Sequence, residues 1–413
     1  MTIVEFFDGV SICNMASCLA MKPDKIIFIG EDKPIERQKK VYTRFINSYG
    51  MQVELTHTPI IRNNIEQIVS VLTDIVESEK SCVFDLTGGE DLVLVAMGIV
   101  FERYRNTGKV QIHRFNIGSG RVVDCDKDGV LPDTEQPKLS VEGNIMLYGG
   151  CVVPYNGKKG TYNWDLNDDF ESDLRVMWEI CKTDPGLWNS LIGTLSYMAG
   201  DDSAELAVSA SKTHTKELMK RQKHKFSWVS GLMKSFNRCG LITNLIDEDD
   251  FVSFTFKNEQ VKHCLTKEGT VLELEVMLLA KKLKRKDGSL MFDDAVNGVY
   301  IDWDSELHDP SDEDKDTENE IDVVLMQGLV PVFISCKNGY VDDTELYKLN
   351  TVADRFGGPY VKKVLVSSYF GKNDEDAHTH FVQRATDMDI QLIENVHTLS
   401  EEAIAKEIKK KLC

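Results

Sequence analysis

The sequence predicts an α/β protein of two or three domains, and three observations lead to this prediction. Its 413 residues exceed what one ordinary hydrophobic core accommodates. Residues 1–125 alternate short apolar runs with amphipathic segments, the order that a parallel sheet with connecting helices requires. Residues 266–393 combine helical and strand patterns in another order, which predicts a second α/β unit.

The first unit is predicted to be Rossmann-like, with strands and helices in alternation. Strands are predicted at residues 4–7, 25–30, 52–56, 82–86 and 110–116, and helices at 14–21, 34–49, 64–77 and 91–104. In such a sheet, ligands bind beyond the carboxyl ends of the strands, where the loops enter the next helices. The loops at residues 8–14, 85–91 and 116–121 are therefore the candidate binding loops.

The middle of the chain is predicted to be a connecting region. Residues 120–160 are rich in Gly, Asp, Pro and Lys, which favours a β-ribbon or a linker with a boundary near 148–165. Helical patterns then occupy residues 174–181, 188–198, 216–222 and 227–237, before strands at 241–245 and 251–256. Helices followed by a two-stranded hairpin are typical of a winged helix, and a helical spacer is the alternative interpretation.

The last part is predicted to have an α-β-β-α-β core. A helical stripe at residues 270–285 precedes strands at 321–326 and 330–336, which the Gln327-Gly328 turn joins into a hairpin. The remaining predicted elements are a helix at 342–356, a strand at 361–368, a helix at 379–388 and a strand at 390–393.

Charge is unevenly distributed along the chain, whose formal net charge is -19. Residues 302–322 hold eleven acidic residues and one lysine, and the loop at 302–318 is predicted to be either a solvating loop or a mobile lid that repels nucleic acid at rest. Residues 212–238 hold eight Lys or Arg against one Glu, and residues 281–286 form a second basic patch. These patches are compatible with a nucleic-acid partner despite the negative total, and solvated surface is the other interpretation.

The composition excludes several classes of protein. With 42% hydrophobic and 28% charged residues, and no apolar run of about 18 residues, the chain is not expected to span a membrane. The N-terminus lacks the basic and then apolar layout of a secretory signal, so a cytoplasmic location is expected. The ten cysteines are scattered singly, which predicts neither disulfides nor a zinc site.

The motif Asp85-Leu86-Thr87-Gly88-Gly89-Glu90 lies where an apolar strand meets the next predicted helix. Two glycines let the backbone approach a ligand closely, and free N–H groups at a helix start favour phosphate. The motif therefore predicts a phosphate-bearing ligand, although glycines at such a turn also serve backbone geometry alone. NAD is not expected, because Asp8-Gly9-Val10-Ser11-Ile12 follows the first strand without a GxGxxG pattern.

A second group of residues predicts metal-dependent phosphodiester hydrolysis. Asp322 lies on the first strand of the C-terminal hairpin, and Ser335 and Lys337, two residues apart on the second strand, share one face. Glu273 lies on the preceding helix and Glu345 on the following one. Carboxylates are ligands that Mg²⁺ and Mn²⁺ prefer, while a lysine positions the nucleophilic water and offsets charge on the phosphate. Each residue alone fits a solvated surface charge better, and only the ordered combination favours a site.

The string Asn319-Glu320-Ile321-Asp322, followed by Phe333-Ile334-Ser335-Cys336-Lys337-Asn338-Gly339, resembles the PD-(D/E)xK motif of CRISPR ancillary nucleases. In that family an N-terminal CARF (CRISPR-associated Rossmann fold) domain carries a strand-end motif similar to Asp85 to Glu90. The resemblance covers nearly the whole chain. It implies a CARF domain at residues 1–147, a linker at 148–165, a winged-helix-like segment at 166–265 and a restriction-endonuclease-like α/β domain, the PD-(D/E)xK nuclease, at 266–413.

The resemblance also implies an activator and a partner. It implies a homodimer that binds cyclic oligoadenylate made during type III CRISPR antiviral defence. Cyclic tetra-adenylate is expected, because a two-fold dimer presents identical halves to a ring of four equivalent nucleotides. Carried over by position, the residues that would line the activator pocket are Ser11, Asn14, Asp85, Thr87, Gly88, Gly89, Glu90, Asn116, Ile117 and Gly118. Binding would shift the nuclease domains allosterically toward a cleavage-competent arrangement.

The implied reaction is Mn²⁺- or Mg²⁺-dependent cleavage of DNA and, in some relatives, of single-stranded RNA. The implied metal ligands are Glu273, Asp322 and the backbone carbonyl of Cys336, and the implied catalytic residues are Glu273, Asp322, Ser335, Lys337 and Glu345. The family pattern has an acid where this chain has Ser335, and a neutral hydroxyl is a weaker ligand. Weaker or Mn²⁺-preferring activity is therefore expected. The alternative is a ligand-responsive DNA-binding regulator whose nuclease fold is inactive.

Overall fold

The computed structural model describes residues 1–127, 129–131, 134–200, 204–304, 318–369 and 375–412. Within these ranges the chain is a mixed α/β protein with three sheets and fourteen α-helices, which confirms the predicted α/β class. Most of the acidic loop, at residues 305–317, lies outside the described residues, and so does its predicted role as a solvating loop or a lid.

The first sheet has seven strands in the order β3-β2-β1-β4-β5-β6-β7. Its strands are β1 (Thr2–Phe6), β2 (Lys25–Gly30), β3 (Glu54–Pro59), β4 (Cys82–Asp85), β5 (Val110–Asn116), β6 (Arg121–Asp124) and β7 (Gly129–Val130). The connecting helices are α1 (Ser11–Met21), α2 (Asp32–Ser48), α3 (Ile65–Ser78) and α4 (Asp91–Tyr104). Strands β1 to β5 are parallel, as predicted, and β6 and β7 extend the sheet as an antiparallel ribbon.

The central strands of this sheet are continuous apolar runs because helices cover both of their faces. All residues of β1 and β4 are buried, as expected of parallel strands inside a layered α/β unit. Ile3 packs with α1 and α2 on one side, while its neighbour Val4 packs with α3 and α4 on the other. The alternating direction of side chains along one strand therefore builds two separate apolar layers.

The region predicted as ribbon or linker also contains a helix that the prediction missed. Helix α5 (Val141–Leu147) begins at Ser140, whose hydroxyl accepts the Gly143 N–H at 3.0 Å. The sequence pattern concealed it because the helix has only seven residues and contains Gly143, a weak helix former. The short strand β8 (Cys151–Val152) follows and pairs with a strand of the C-terminal sheet.

The middle of the chain combines helices with a three-stranded antiparallel sheet in the order β10-β11-β9. Its elements are α6 (Asp168–Cys181), α7 (Pro185–Ala199), β9 (Ala207–Ser211), α8 (Lys212–Arg221), α9 (Ser230–Arg238), β10 (Ile242–Asp247), β11 (Phe251–Phe256) and α10 (Glu259–Thr266). The predicted four helices and two strands are present, while β9 and α10 were not predicted. Seven of the eight basic residues at 212–238 are exposed, and Lys212 instead forms an ion pair with Asp247 at 2.6 Å.

The C-terminal sheet has six strands in the order β16-β15-β14-β13-β12-β8. Its elements are α11 (Thr270–Lys281), β12 (Asp294–Asp302), β13 (Glu318–Gln327), β14 (Val330–Lys337), α12 (Asp343–Phe356), β15 (Lys362–Ser367), α13 (Glu375–Asp387), β16 (Ile390–Ile393) and α14 (Glu401–Leu412). The predicted β13–β14 hairpin is confirmed, and β15 and β16 continue the sheet in parallel. Strand β12 and helix α14 were not predicted, and α11 ends four residues before the predicted end at 285.

One apolar cluster joins the first sheet to the C-terminal sheet. It contains Ile3 and Phe28 of the first sheet, Ile145 of α5, and Phe333 and Phe356 of the C-terminal part. Helix α5 is fixed in this cluster by a buried hydrogen bond of 2.8 Å from Asn144 Nδ2 to the Phe356 carbonyl. Among the described residues, no helix combines the length and the apolar character that crossing a membrane requires.

The buried Asn144–Phe356 hydrogen bond should contribute measurably to stability. Replacing Asn144 with Ala leaves the Phe356 carbonyl without this donor in a buried setting, so the free energy of unfolding should fall by about 1–3 kcal/mol. Urea unfolding followed by tryptophan fluorescence measures the change. Glu142→Ala on the exposed face of the same helix is the matched control and should change stability by less than about 0.5 kcal/mol. Equal effects of the two substitutions would contradict a specific role of this bond.

Candidate functional site

The first candidate site lies at the carboxyl ends of the parallel strands, where Asp8 joins two of the predicted binding loops. The Asp8 carboxylate accepts the Val10 N–H at 2.8 Å and the Gly89 N–H at 3.1 Å. A Cβ on Gly88 would lie 2.9 Å from Asp8 Oδ2, and Gly89 has a φ of +127°. Both glycines are therefore required by the packing of one loop against the other.

Asp85 and Thr87 lie beneath this loop and hold it to the sheet. The Thr87 hydroxyl accepts the Phe115 N–H at 2.8 Å and donates to the Asp85 carboxylate, which also accepts the Thr87 N–H at 2.9 Å. Asp85 is 1% exposed. The side chains of both residues are thus engaged within the protein.

Ser11 and Asn14, predicted as activator-binding residues in the first loop, are also buried. Asn14 Oδ1 accepts the Asp8 N–H, while its Nδ2 donates to the Asp8 carbonyl and to the Tyr42 hydroxyl, each at 2.8 Å. Ser11 Oγ accepts from Gln38 Nε2 at 3.3 Å. The structure places these two side chains behind the loop, where they fix its backbone.

The third predicted loop follows β5. Asn116 and Gly118 are exposed, whereas Ile117 is buried in the apolar cluster. Asn116 Oδ1 accepts the Ser119 N–H at 3.0 Å, which shapes the turn. Asn116 and Gly118 are therefore the members of this loop that a ligand can reach.

A pocket of about 320 Å³ opens beside these loops. The residues that line it are Phe6, Phe7, Asp8, Gly9, Glu31, Pro34, Arg62 and Glu90. Of the predicted activator-binding residues, Glu90 lies in this lining, and the sequence analysis missed Arg62 and Glu31. Arg62 Nε donates to Glu90 Oε2 at 2.9 Å, and its Nη1 lies 3.5 Å from Glu31 Oε1. The sequence signal that could have identified Arg62 was its position just after β3, at the same edge of the sheet as the Thr87-Gly88-Gly89 loop, called the TGG loop.

A row of buried titratable residues crosses the sheet below this pocket. Glu5 of β1, Asp85 of β4 and His113 of β5 are neighbours in register. Burial, with the Asp85 charge adding to it, raises the pKa of Glu5 well above its ordinary value of 4.5. Glu5 Oε1 and Asp85 Oδ2 are buried without an N–H or O–H donor among the described residues, a deficit that is removed when a protonated Glu5 donates to Asp85.

The second candidate site is a cleft of about 340 Å³ at the C-terminal sheet. Asp322 lines it, and its Oδ2 accepts two hydrogen bonds, from the Cys336 N–H at 2.6 Å and the Ser335 hydroxyl at 3.1 Å, and forms an ion pair with Lys337 Nζ at 3.8 Å. Burial raises the pKa of Asp322, and the Lys337 charge and the two hydrogen bonds oppose this rise. The hairpin therefore holds the predicted strand residues together, with Ser335 acting as a donor to Asp322.

Glu345 connects the cleft to α12. Lys337 Nζ lies 3.1 Å from Glu345 Oε2, and Lys348 Nζ lies 2.9 Å from Glu345 Oε1. Burial raises the pKa of Glu345, but the two lysines outweigh it and lower the pKa below its ordinary value. Glu345 is therefore an ionised partner that orients Lys337 toward Asp322.

Glu273 enters the cleft from the opposite side, on the first turn of α11. Its side chain is 7% exposed, and Asn297 Nδ2 lies 3.5 Å from Glu273 Oε2. Burial, then the negative charges of Asp322 and Glu320, raise the pKa of Glu273 well above 4.5. The Asp322 charge thus reaches Glu273 and disfavours ionisation of this second predicted metal-binding carboxylate.

The cleft has further lining residues that the prediction did not include. They are Asn189, Lys267, Glu268, Gly269 and Tyr340, together with Glu320, Asn338 and Gly339, which the resemblance motif contained but which were not predicted as site residues. Lys267 Nζ lies 3.2 Å from Glu320 Oε1 and 5.0 Å from the centre of the Tyr300 ring. No local pattern marks these positions, because they come together from α7, the α10–α11 turn and the end of β14.

The donor set fits a divalent cation that keeps several water ligands. Among the described residues, no group of three or more His, Cys, Asp or Glu side chains is arranged to hold a metal ion. Glu273 and Asp322 are two carboxylates whose mutual repulsion a cation would relieve, and Mg²⁺ commonly binds through one or two carboxylates plus water and phosphate. Burial raises the pKa of the Cys336 thiol, so its sulfur stays protonated and only its backbone carbonyl is a suitable ligand.

Comparison with known proteins shows the fold. No protein-family model and no curated protein matches the chain. The crystal structure of protein VC1899 from Vibrio cholerae is similar, with 18% identity, 99% of this chain and 97% of that chain covered, and a TM-score of 0.70. Can2 from Sulfobacillus thermosulfidooxidans, in complex with cyclic tetra-adenylate, has 15% identity, with 100% and 99% of the two chains covered, and a TM-score of 0.66. The chain therefore has the fold of these two proteins over its whole length.

The buried Glu5 predicts a specific dependence of stability on pH. Since the folded-state pKa of Glu5 is raised, the contribution of Glu5 to the free energy of unfolding is complete below pH 4.5. This contribution is lost as pH rises toward and through the folded-state pKa. Glu5→Gln keeps an N–H donor for Asp85 but cannot ionise. The variant should therefore gain stability relative to the wild type by up to about 1.4 kcal/mol per pH unit as pH rises from about 5 to 8.

Urea unfolding of both proteins across this pH range measures the difference. Glu36→Gln, on the exposed face of α2, is the control and should follow the wild-type curve. Parallel curves for the wild type and Glu5→Gln would contradict a raised pKa for Glu5.

Proposed function

We propose that the protein is a cyclic tetra-adenylate-activated, metal-dependent nuclease of type III CRISPR antiviral defence. The observation that carries this proposal is the C-terminal cleft, where Asp322 and Lys337 on one hairpin face Glu273 from α11. The pocket beside the TGG loop at the other end of the chain supports a sensor function. The proposed location is the cytoplasm.

The sensor is proposed to be a CARF domain at residues 1–147. Its support is the shared fold with Can2, whose structure contains cyclic tetra-adenylate, and the pocket at the carboxyl ends of the strands. Residues 148–165 would be the linker, 166–265 the winged-helix-like segment and 266–413 the PD-(D/E)xK nuclease domain. A homodimer is part of the proposal, because two identical halves suit a ring of four equivalent nucleotides.

In the cleft, Glu273, Asp322 and the Cys336 carbonyl would hold Mn²⁺ or Mg²⁺. When bound, the metal would supply Lewis-acid stabilisation of the phosphate and a water of lowered pKa. The protein residues orient the reacting groups: the Ser335 hydroxyl and the Cys336 N–H fix Asp322, and Glu345 fixes Lys337. Lys337 would bind the scissile phosphate and offset the charge that builds on it.

DNA is the proposed substrate, with single-stranded RNA as a second one. Seven exposed basic residues on α8, α9 and their connection give the middle segment a surface suited to phosphate backbones. Because the chain has a net charge of -19, nucleic-acid binding would depend on this local concentration of positive charge and not on the total charge.

Cleavage should depend on the two central residues of the cleft. With supercoiled plasmid, Mn²⁺ and cyclic tetra-adenylate, the wild type should produce nicked DNA, seen by gel electrophoresis. Asp322→Ala and Lys337→Ala should each lower the nicking rate by at least about 100-fold, because the first removes a proposed metal ligand and the second removes a positive charge that stabilises the transition state. Asp354→Ala, an exposed acid on the same helix as Glu345, is the control and should nick at the wild-type rate.

The same assay separates the proposed nuclease from the alternative regulator. If no combination of metal and cyclic tetra-adenylate gives cleavage, while the wild type binds duplex DNA of a defined sequence selectively, the nuclease proposal fails. The protein would then be a ligand-responsive DNA-binding regulator that uses its middle segment.

Filling the pocket of the first sheet should block the activator. Gly9 lines this pocket, and an added Cβ would meet no atom within 4 Å, so Gly9→Val should fold normally while its side chain occupies ligand space. The dissociation constant for cyclic tetra-adenylate, measured by isothermal titration calorimetry, should rise at least about tenfold, equivalent to about 1.4 kcal/mol. Activator-dependent nicking should fall in parallel.

Gly98→Ala provides the matched control, since Gly98 also lies in open space but on α4, outside the pocket. This variant should bind cyclic tetra-adenylate like the wild type. Unchanged binding by Gly9→Val would place the activator elsewhere, and wild-type cleavage at full rate without cyclic tetra-adenylate would contradict the gating.

A further inference from the structure

A tight turn at residues 155–162 carries two lysines at its tip and an aromatic residue at each end. Asn156 Oδ1 accepts the Lys158 and Lys159 N–H groups at 3.1 Å each, and the Asn156 N–H donates to the Lys159 carbonyl at 3.0 Å. The Tyr155 hydroxyl donates to the Gly157 carbonyl at 2.8 Å. The turn is therefore a well-defined structure, although its composition predicted only a ribbon or linker.

The aromatic residues at the base of this turn pack against α10. The ring centres of Tyr155 and Tyr162 are 5.1 Å apart, and that of Tyr162 is 4.4 Å from the His263 ring. Both tyrosines and His263 are half-buried and line one pocket, and Trp164 also packs against Tyr162, with ring centres 4.5 Å apart. Burial, with the Lys267 charge adding to it, lowers the pKa of His263 to about 4, so its ring is neutral near pH 7.

These rings line a pocket of about 460 Å³ that meets the catalytic cleft. Lys267 lies in the linings of both spaces, and its ammonium group is 3.2 Å from Glu320 at the edge of the cleft. A third hollow, lined by α7 together with His224 and Lys225 of the middle segment, also includes Lys267. The aromatic pocket and the proposed active site thus adjoin at Lys267, which is common to both linings, and the two spaces together are called the groove.

The charges of the pocket favour a polyanion. Among the described residues, its lining contains Lys158, Lys262 and Lys267 and one acid, Glu259, and Lys267 is also paired with Glu320. Lys262 is fixed beneath the pocket by a 2.7 Å hydrogen bond to the Glu205 carbonyl, while Lys158 is exposed at the tip of the turn. Lysines beside accessible aromatic faces are the combination with which proteins bind single strands, since every unpaired base offers a face for stacking.

We propose that this pocket, bounded by Tyr155, Tyr162 and His263, binds an unpaired nucleotide of a single strand that continues from the catalytic cleft. The ligand class is single-stranded nucleic acid, with a base stacked on the Tyr162 ring and its phosphate near Lys158. The proposal rests on the proposed nuclease function, because it identifies the groove as the path of the substrate strand. Duplex DNA is excluded from the stacking position, since its base faces are covered by neighbouring pairs.

Binding of labelled oligonucleotides to the full chain tests this proposal. The probes are fluorescein-labelled oligothymidine and oligouridine of about 12 nucleotides, within the range that single-strand sites cover, and a blunt duplex of equal length. Fluorescence anisotropy is measured in EDTA, where metal-dependent cleavage cannot interfere. Tyr162→Leu should weaken binding of both single strands by about 5- to 150-fold, the loss expected for one stacked base, and should leave duplex binding unchanged.

Matched variants separate stacking from folding defects. Tyr162→Phe keeps the ring and should bind like the wild type, and Tyr104→Leu on α4 of the first sheet should also have no effect. Lys158→Glu, at the exposed tip of the turn, should weaken binding and reduce its dependence on salt concentration. A larger loss for oligouridine than for oligothymidine would identify RNA as the preferred strand, and the reverse result DNA.

Wild-type affinity of Tyr162→Leu for both single strands would overturn the proposal, as would equal losses for the single strands and the duplex. Because binding is measured without metal, this result is independent of whether the cleft cleaves. A wild type that binds through Tyr162 but never nicks would refute the nuclease function alone, whereas nicking without any role for Tyr162 would refute the pocket alone.

Discussion

The structure depends on one apolar core that the first and last sheets share. Side chains from β1 and β2, from α5, and from β13, β14 and α12 belong to the same buried cluster, although more than 300 residues separate some of them: Ile3 lies at one end of the chain and Phe333 far toward the other. Burial of apolar surface is the dominant favourable term in folding, and a close-packed interior transmits displacement. The pocket and the cleft therefore belong to one packed body.

Helix α12 connects the two ends of this body. Its first turn carries Glu345, which holds Lys337 in the cleft, and its last residue, Phe356, accepts the hydrogen bond from Asn144 of α5. The chain then passes Tyr360, whose pKa is raised by burial and further by the neighbouring Cys13 and Asp8 of the first site. Helix α12 thus links Lys337, through Glu345, to α5 and to the segment that follows Phe356.

Local patterns predicted those elements whose patterns are long and regular. Strand β5 and helix α4 were predicted at their observed bounds, and the β13–β14 hairpin was found because β-branched residues flank a Gln-Gly turn. Helix α5 is short and contains glycine, so its Ser140 cap and its tertiary packing define it rather than a helical pattern. The side chain of Arg62 could not be assigned to the first pocket, because its position depends on ion pairs with Glu90 and Glu31, which are distant in sequence.

For the site residues as well, the sequence predicted which residues lie together, whereas their roles follow from contacts seen in the structure. The sequence identified Asp322, Ser335 and Lys337 as neighbours, but the role of Ser335 follows from its hydrogen bond. Asp322 Oδ2 already accepts the Cys336 N–H, and the Ser335 hydroxyl adds a second neutral donor. An acid at this position would instead place a further negative charge beside Asp322, whose charge already raises the pKa of Glu273 and whose own pKa is raised by burial and by Glu320. Serine therefore orients Asp322 without adding repulsion, which leaves Glu273, from a different element, as the second carboxylate of the proposed metal site.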